Sequence, residues 1–287
     1  MKTKLAVISV GLALAVWTAT ASAGAPLGPA MATLEQGETS LGFEFAQETM
    51  TLSASGNCVE SVLGGGTDAY TQKFEIEDLE SNMFFARLTY GLTDQWDVYL
   101  RLGAADGQDD LNLKGGTGLL TGAGASTIAM DGGYGFAYGV GTRATFWTDG
   151  PWSIAGSAQA TWFNPGDTSF SITRPATPSE SVVGDGTIDY LQTQFSLAAI
   201  YQQDPWGVWI GPFVQLIDGD LDLDADFIVS GSTLGNISCA GDLEEESVIG
   251  LHAGAALAVS PSCAAWVEAQ YTPDSWLLGV GAVIRPK

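Results

Sequence analysis

Three arginines, Arg87, Arg101 and Arg143, stand inside segments whose other residues alternate between apolar and small or polar. A cation among apolar neighbours is costly unless it meets an anion or water, so the chemistry open to them is charge pairing or the lining of a wet passage. Glu44 and Glu268 are the acids placed to answer them, and Gln159, Gln194 and Gln215 occupy similar alternating segments. A different cluster is the run "IDGDLDLDADF", with Asp218, Asp220, Asp222, Asp224 and Asp226 at every second position and Glu244, Glu245 and Glu246 further on. Alternate residues of an extended chain project to one side ~7 Å apart, too far for one ion without help from elsewhere. An EF-hand also fails, because the sixth and twelfth positions counted from Asp218 hold Leu223 and Val229 where Gly and Glu are needed. The run is expected in a loop, either collecting cations diffusely or simply solvated, with no metal site. The one histidine, His252, would be needed for a Ser/His/Asp arrangement, but no GxSxG elbow accompanies it. No catalytic residue is expected, and His252 reads as a polar interior residue. Cys58 and Cys239 lie in polar, Gly-rich segments and are expected either as one disulfide or as unpaired thiols; Cys263 lies in a short turn. No CxxC or Cys/His zinc spacing occurs, and no cofactor is implied.

These residues are carried by one repeated theme. From about Ser40, segments of roughly ten or more alternating residues, rich in Tyr, Phe, Trp, Val and Gly, end at turn signals. Ten segments are counted, at about 39–52, 82–92, 96–104, 132–147, 152–163, 187–201, 206–217, 247–259, 265–271 and 275–285. Connections alternate in length. Thr93-Asp94-Gln95, "TDGP" from Thr148, "QQDP" from Gln202 and "SPSC" from Ser260 are short, and long Gly- and Asp-rich stretches fill 53–81, 105–131, 164–186 and 218–246. "TPDS" from Thr272 is short where a long connection is expected. An alternating piece within the first long stretch, Thr71 to Leu79, leaves twelve strands as the alternative to ten.

Short turns at one end, long loops at the other and ten-residue alternating strands read as an antiparallel transmembrane β-barrel of the outer membrane, with periplasmic turns and extracellular loops. A water-soluble β-sandwich is the competing architecture. Side-chain parity puts Phe84, Leu88, Tyr90 and Leu92 on the lipid face with Trp96, Val98, Leu100 and Leu102, so Arg87, Asp97, Tyr99 and Arg101 point inward. Counting outward from the turn places Arg87 opposite Arg101. Arg143 turns inward by the same parity, and the three should form one basic band ~15–20 Å from the short turns. The band admits two readings. One is a pore constriction with a transverse field between the arginines and Glu44 and Glu268; the other is a lumen closed by salt bridges, since few strands leave room only for side chains.

The first residues set the compartment. Lys2 and Lys4 precede the apolar run Leu5 to Val16, and Ala21-Ser22-Ala23 precedes Gly24 as a small-residue cleavage site. Residues 1–23 are read as a secretory signal peptide and 24–287 as the barrel. Without that leader eight basic residues remain against 33 acidic ones, a net charge of about −25, which argues against nucleic-acid binding. Lipid and lipopolysaccharide are the expected partners.

Three blocks carry a family resemblance: "MFFARLTYGLTDQWDVYLRLGAADG", "GFAYGVGTRATFWTDGPWSIAGSAQATW" and "IDYLQTQFSLAAIYQQDPWGVWIGPFVQLIDGDLDLDAD". In the same order they resemble the chlamydial-type major outer membrane porins, over a third to a half of the chain from Met83 onward. The resemblance implies an outer-membrane porin, often oligomeric, passing small hydrophilic solutes or ions. A closed structural or adhesive barrel with acidic surface loops is the alternative.

Overall fold

The alternation written into the sequence becomes twelve antiparallel strands in the computed structural model, which describes residues 25–114, 127–166, 168–173, 179–245 and 248–286. They are β1 (Thr39–Val62), β2 (Gly66–Thr93), β3 (Trp96–Lys114), β4 (Thr127–Asp149), β5 (Trp152–Asn164) and β6 (Thr168–Thr173). β7 (Glu180–Gln203), β8 (Trp206–Val229), β9 (Ser232–Glu245), β10 (Ile249–Ser260), β11 (Cys263–Thr272) and β12 (Ser275–Ile284) follow. Ten of them close a ring in the order β1, β2, β3, β4, β5, β7, β8, β10, β11, β12 and back to β1. Closure gives every member of the ring a hydrogen-bonded neighbour on both sides at the level of the ring.

β6 and β9 belong to a second storey above this ring. Beyond the ends of β10 to β12, β9 fills the gap, pairing with β8 from Gly219 to Val229 and with β1 from Leu52 to Val62. β6 pairs with β7 beyond the end of β5. The stretches expected as long loops are therefore largely strand. Residues 53–81 are the upper halves of β1 and β2, one hairpin turning at Leu63 to Gly65, so Thr71 to Leu79 prolongs β2 instead of adding a strand to the ring. Glycine and aspartate density suggested loops there, but the period of two continues through it.

The two storeys differ in which face is apolar. Along β8 the same parity points outward throughout: Val208, Ile210, Val214 and Leu216 are exposed below, and Asp218, Asp220, Asp222, Asp224 and Asp226 above. The inward residues of the same strand run from Trp209 and Gln215 to Leu221, Leu223 and Phe227. Below, polar groups are inside and apolar groups outside; above, the order is inverted. The upper interior is a packed apolar core that includes Met50, Leu52, Phe74, Ile76, Leu111, Ile172, Val182 and Ile237. Cys58 and Cys239 face each other across β1 and β9 within it and are joined by a disulfide, with Cα atoms 4.1 Å apart.

Rings gather at both limits of the exposed apolar belt. Trp152, Tyr201 and Trp206 cluster beside the short turns, with centroid separations of 4.9 and 5.7 Å. Tyr138 stacks on Trp162 at 5.3 Å towards the other limit. Inside, small residues make room for large ones: a Cβ at Gly141 would stand 2.3 Å from the Tyr99 ring.

Candidate functional site: the lumen of the ten-stranded ring

Strand register builds the site. Arg87 and Arg101 are direct partners across β2 and β3, and Asp97 is the direct partner of Arg143 across β3 and β4. All four side chains are essentially buried. Glu44, on β1, reaches across to both arginines of the first pair, 2.7 Å from Arg87 and 3.8 Å from Arg101. Arg143 pairs with Asp97 at 3.1 Å. Tyr99 lies between them, its ring centroid 5.1 Å from the Arg87 guanidinium and 5.8 Å from that of Arg143. The Arg101 guanidinium lies 5.0 Å from the centre of the Phe85 ring and donates to Thr161 at 2.6 Å.

Amides carry the polar layer around the remaining wall. The Tyr99 hydroxyl donates to Gln159 at 2.7 Å, Gln159 donates to Gln194, and Gln194 donates to Gln215 and to Gln270, both at 3.1 Å. Glu268 accepts from Gln270 at 2.7 Å and from the Trp209 indole N–H at 3.3 Å. Glu268 is within electrostatic reach of Arg101, and its direct contacts are with the β8, β10 and β11 wall, with His252 Nδ1 3.7 Å away. Parity puts Glu44 and Glu268 inside alike, but only the curvature of the closed sheet decides which charges they reach. Asp97, which parity also places inside, is the ion-pair partner of Arg143.

The lumen is also occupied. Residues 25–34 run through it without joining the sheet, with Ala25, Leu27 and Ala30 fully buried. Further on, Gln36 donates its N–H to Asp94 at 2.9 Å and Gly37 its N–H to the Gly91 carbonyl at 2.8 Å, which ties the segment to the rim formed by the β2–β3 turn. In this structure the arginine band is paired with acids and amides, and the chain's own N-terminal segment lies beside it in the lumen. Sequence reasoning passed over this segment because it has no period. It also passed over Gln192 and Gln270, which share parity with Gln194 and Glu268 and were within reach of the same argument.

The other candidates are placed as follows. Arg87, Arg101, Arg143, Glu44, Glu268, Gln159, Gln194 and Gln215 are all inward and buried. His252 is inward and buried, with Glu268 beside it and the Phe213 ring at 6.3 Å; neither neighbour is a hydroxyl nucleophile. Asp218, Asp220, Asp222, Asp224 and Asp226 are on the outer face of a strand and not in a loop. Asp224 faces Asp185 on β7, while Asp220 faces both Asp189 on β7 and Asp242 on β9. Among the described residues no group of carboxylates, histidines or cysteines has the geometry to hold a metal ion. Glu246 and the expected leader lie outside the described residues.

No family model matches the chain, and no curated protein does. Among solved structures it is similar to the outer membrane protein OprG from Pseudomonas aeruginosa, with 12% identity, 88% of this chain and 97% of that chain covered, and a TM-score of 0.46. It is also similar to the outer membrane protease OmpT from Escherichia coli, at 7% identity, 85% and 94% coverage and a TM-score of 0.37. The toluene transporter TodX from Pseudomonas putida is similar at 12% identity, with 91% and 89% coverage and a TM-score of 0.37. At these values the likeness assigns no activity to this chain.

Proposed function

We propose that this chain is an outer-membrane barrel that is closed at rest and carries a rigid, acidic extension beyond the bilayer, a structural or adhesive support instead of an open pore. The observation that carries the reading is the change of β8 from apolar to acidic along one outward face while its interior stays filled. From Trp206 to Leu216, ten steps of ~3.3 Å at a tilt of ~40° span ~25 Å, the height of the apolar band of such barrels. Leaving that belt in water would forgo ~1.5–3 kcal/mol for each large side chain. The acidic face above it is suited to water and to the divalent ions that accompany lipopolysaccharide. The test is reconstitution in planar bilayers with fractionation of envelopes. The protein is expected in outer-membrane fractions and to give no conductance steps above background; steady steps from the intact chain would overturn the closed reading.

A second reading is favoured by a separate observation. The segment inside the ring is no part of the sheet and is hydrogen-bonded to the wall through its peptide groups, as a displaceable plug would be, and with it withdrawn the charged lumen could admit small hydrophilic solutes or ions, as the resemblance to major outer membrane porins implies. The apolar core of the upper storey would still stand across the axis. Conductance that arises only after loss of residues 25–34 would favour this reading.

A further inference from the structure

The wall reads the internal segment through its peptide groups. The N–H of Ala25 donates to Gln192 at 2.7 Å, that of Leu27 to Glu268 at 3.0 Å, that of Ala32 to Thr145 at 3.2 Å and that of Thr33 to Asp97 at 2.8 Å. Its carbonyls are read as well: Gln159 donates to the Ala25 oxygen at 3.0 Å, Arg101 to that of Pro26 at 3.1 Å and Arg143 to that of Pro29 at 3.2 Å. Pro26 and Pro29 have no N–H that the wall must accept. Gly28 has φ +70°, and a Cβ there would stand 3.3 Å from an Arg87 nitrogen and 3.6 Å from the Trp266 ring. Leu27 adds one buried apolar side chain and Met31 packs against a second cluster, while the hydrogen bonds to peptide groups fix the position of the segment.

We propose that the lumen is a peptide-binding site, whose ligand is a short proline-containing segment read through its backbone, and that residues 25–38 occupy it in cis as a detachable ligand. None of them belongs to a strand of the ring. Its closing ladder runs between β1 and β12 from Leu41 and Ile284 to Met50 and Ser275, all outside the segment. Charged and amide groups on the wall, once vacated, can be hydrated, so an empty lumen is a wet one and not a void. Proline fixes φ in advance, which lowers the ordering cost of binding.

The test needs no assumption about conduction. A chain lacking residues 25–34 is folded in detergent micelles and titrated with a synthetic peptide of residues 25–36, dye-labelled at its C-terminal end because Gln36 is exposed. Fluorescence anisotropy should show saturable binding to the shortened barrel and none to the full-length chain, whose own segment holds the site. A peptide carrying Pro26→Ala and Pro29→Ala brings two N–H groups without acceptors and should bind tenfold or more weakly. A folded, shortened barrel that binds nothing, or binding that is equal with the full-length chain, overturns the proposal. If the shortened chain does not fold, hydrogen exchange on the intact protein decides. The amides of Leu27, Ala32 and Thr33 should exchange at least tenfold faster than those of β1, and equal protection overturns the proposal.

Discussion

Replacing Glu44 with glutamine removes the anion shared by two buried cations and keeps the shape of the side chain. Glu44 stands 2.7 Å from Arg87 and 3.8 Å from Arg101, and none of the three side chains is exposed by more than 1%. At an effective dielectric of ~20 the two contacts amount to ~6 and ~4 kcal/mol before desolvation. Desolvation of the carboxylate offsets much of this, but the arginines remain buried in the variant, facing each other as direct strand partners. Breaking a buried pair in this way costs ~3–5 kcal/mol, so Glu44→Gln should lower the unfolding free energy by about that amount. The assay is urea unfolding of the barrel in lipid, followed by tryptophan emission and by the mobility difference between folded and unfolded protein. Arg101→Gln belongs in the same series. Combined with Glu44→Gln it should cost clearly less than the two single changes added, because the second change removes a charge left over by the first. A loss below ~1 kcal/mol for Glu44→Gln, or strict additivity, would refute a charge-compensated lumen and favour a hydrated one.

Other outcomes follow from the two-storey arrangement. Ile210→Arg, in the apolar belt, should destabilise the barrel by ~2–4 kcal/mol, whereas Asp224→Arg, on the same outward face of β8 above it, should cost nothing measurable; equal effects would sink the placement of the bilayer. Asp220→Asn should stabilise by ~0.2–1 kcal/mol, because Asp220 faces Asp189 and Asp242 across both neighbouring ladders, and the gain should shrink as salt is added. The double change Cys58→Ser and Cys239→Ser should cost ~2–5 kcal/mol, read as a lower unfolding midpoint matched by reduction of the parent protein. Tyr70, in the upper storey, donates to Glu60, and burial followed by that carboxylate raises its pKa above the ordinary value of about 10. The folded state holds the proton more tightly, so this contribution is complete below pH ~10 and is lost as pH rises through the folded pKa. Absorbance titration should show Tyr70 ionising later in the folded protein than in the unfolded one.

Particular residues show how far the sequence could be read. The pairing of Arg87 with Arg101 was legible, because a period of two and a short turn at Thr93 to Gln95 leave one register in which the apolar rows coincide. The inward positions of Arg143, Gln159, Gln194 and Gln215 were legible for the same reason. The upper storey was not. The pattern of Asp218 to Phe227 is the same alternation whether the apolar row faces a core or lipid, and deciding between them requires knowing where the bilayer ends. β6 has six residues, and it takes its place only because β5 stops below it.

What the sequence by itself determined is relative: which residues share a face, where the chain turns back and that the strands must close on one another. Alternation is a local property of an extended backbone and survives any global arrangement. What only the tertiary structure decided is absolute: which face is inside at each height, that Asp97 answers Arg143, and that residues 25–34 fill the ring. These depend on the number and tilt of strands in the closed sheet, which set how far inward side chains reach and what stands opposite them. Nothing in a non-periodic segment of fourteen residues, 25–38, states that a hydrogen-bonding wall is waiting for it.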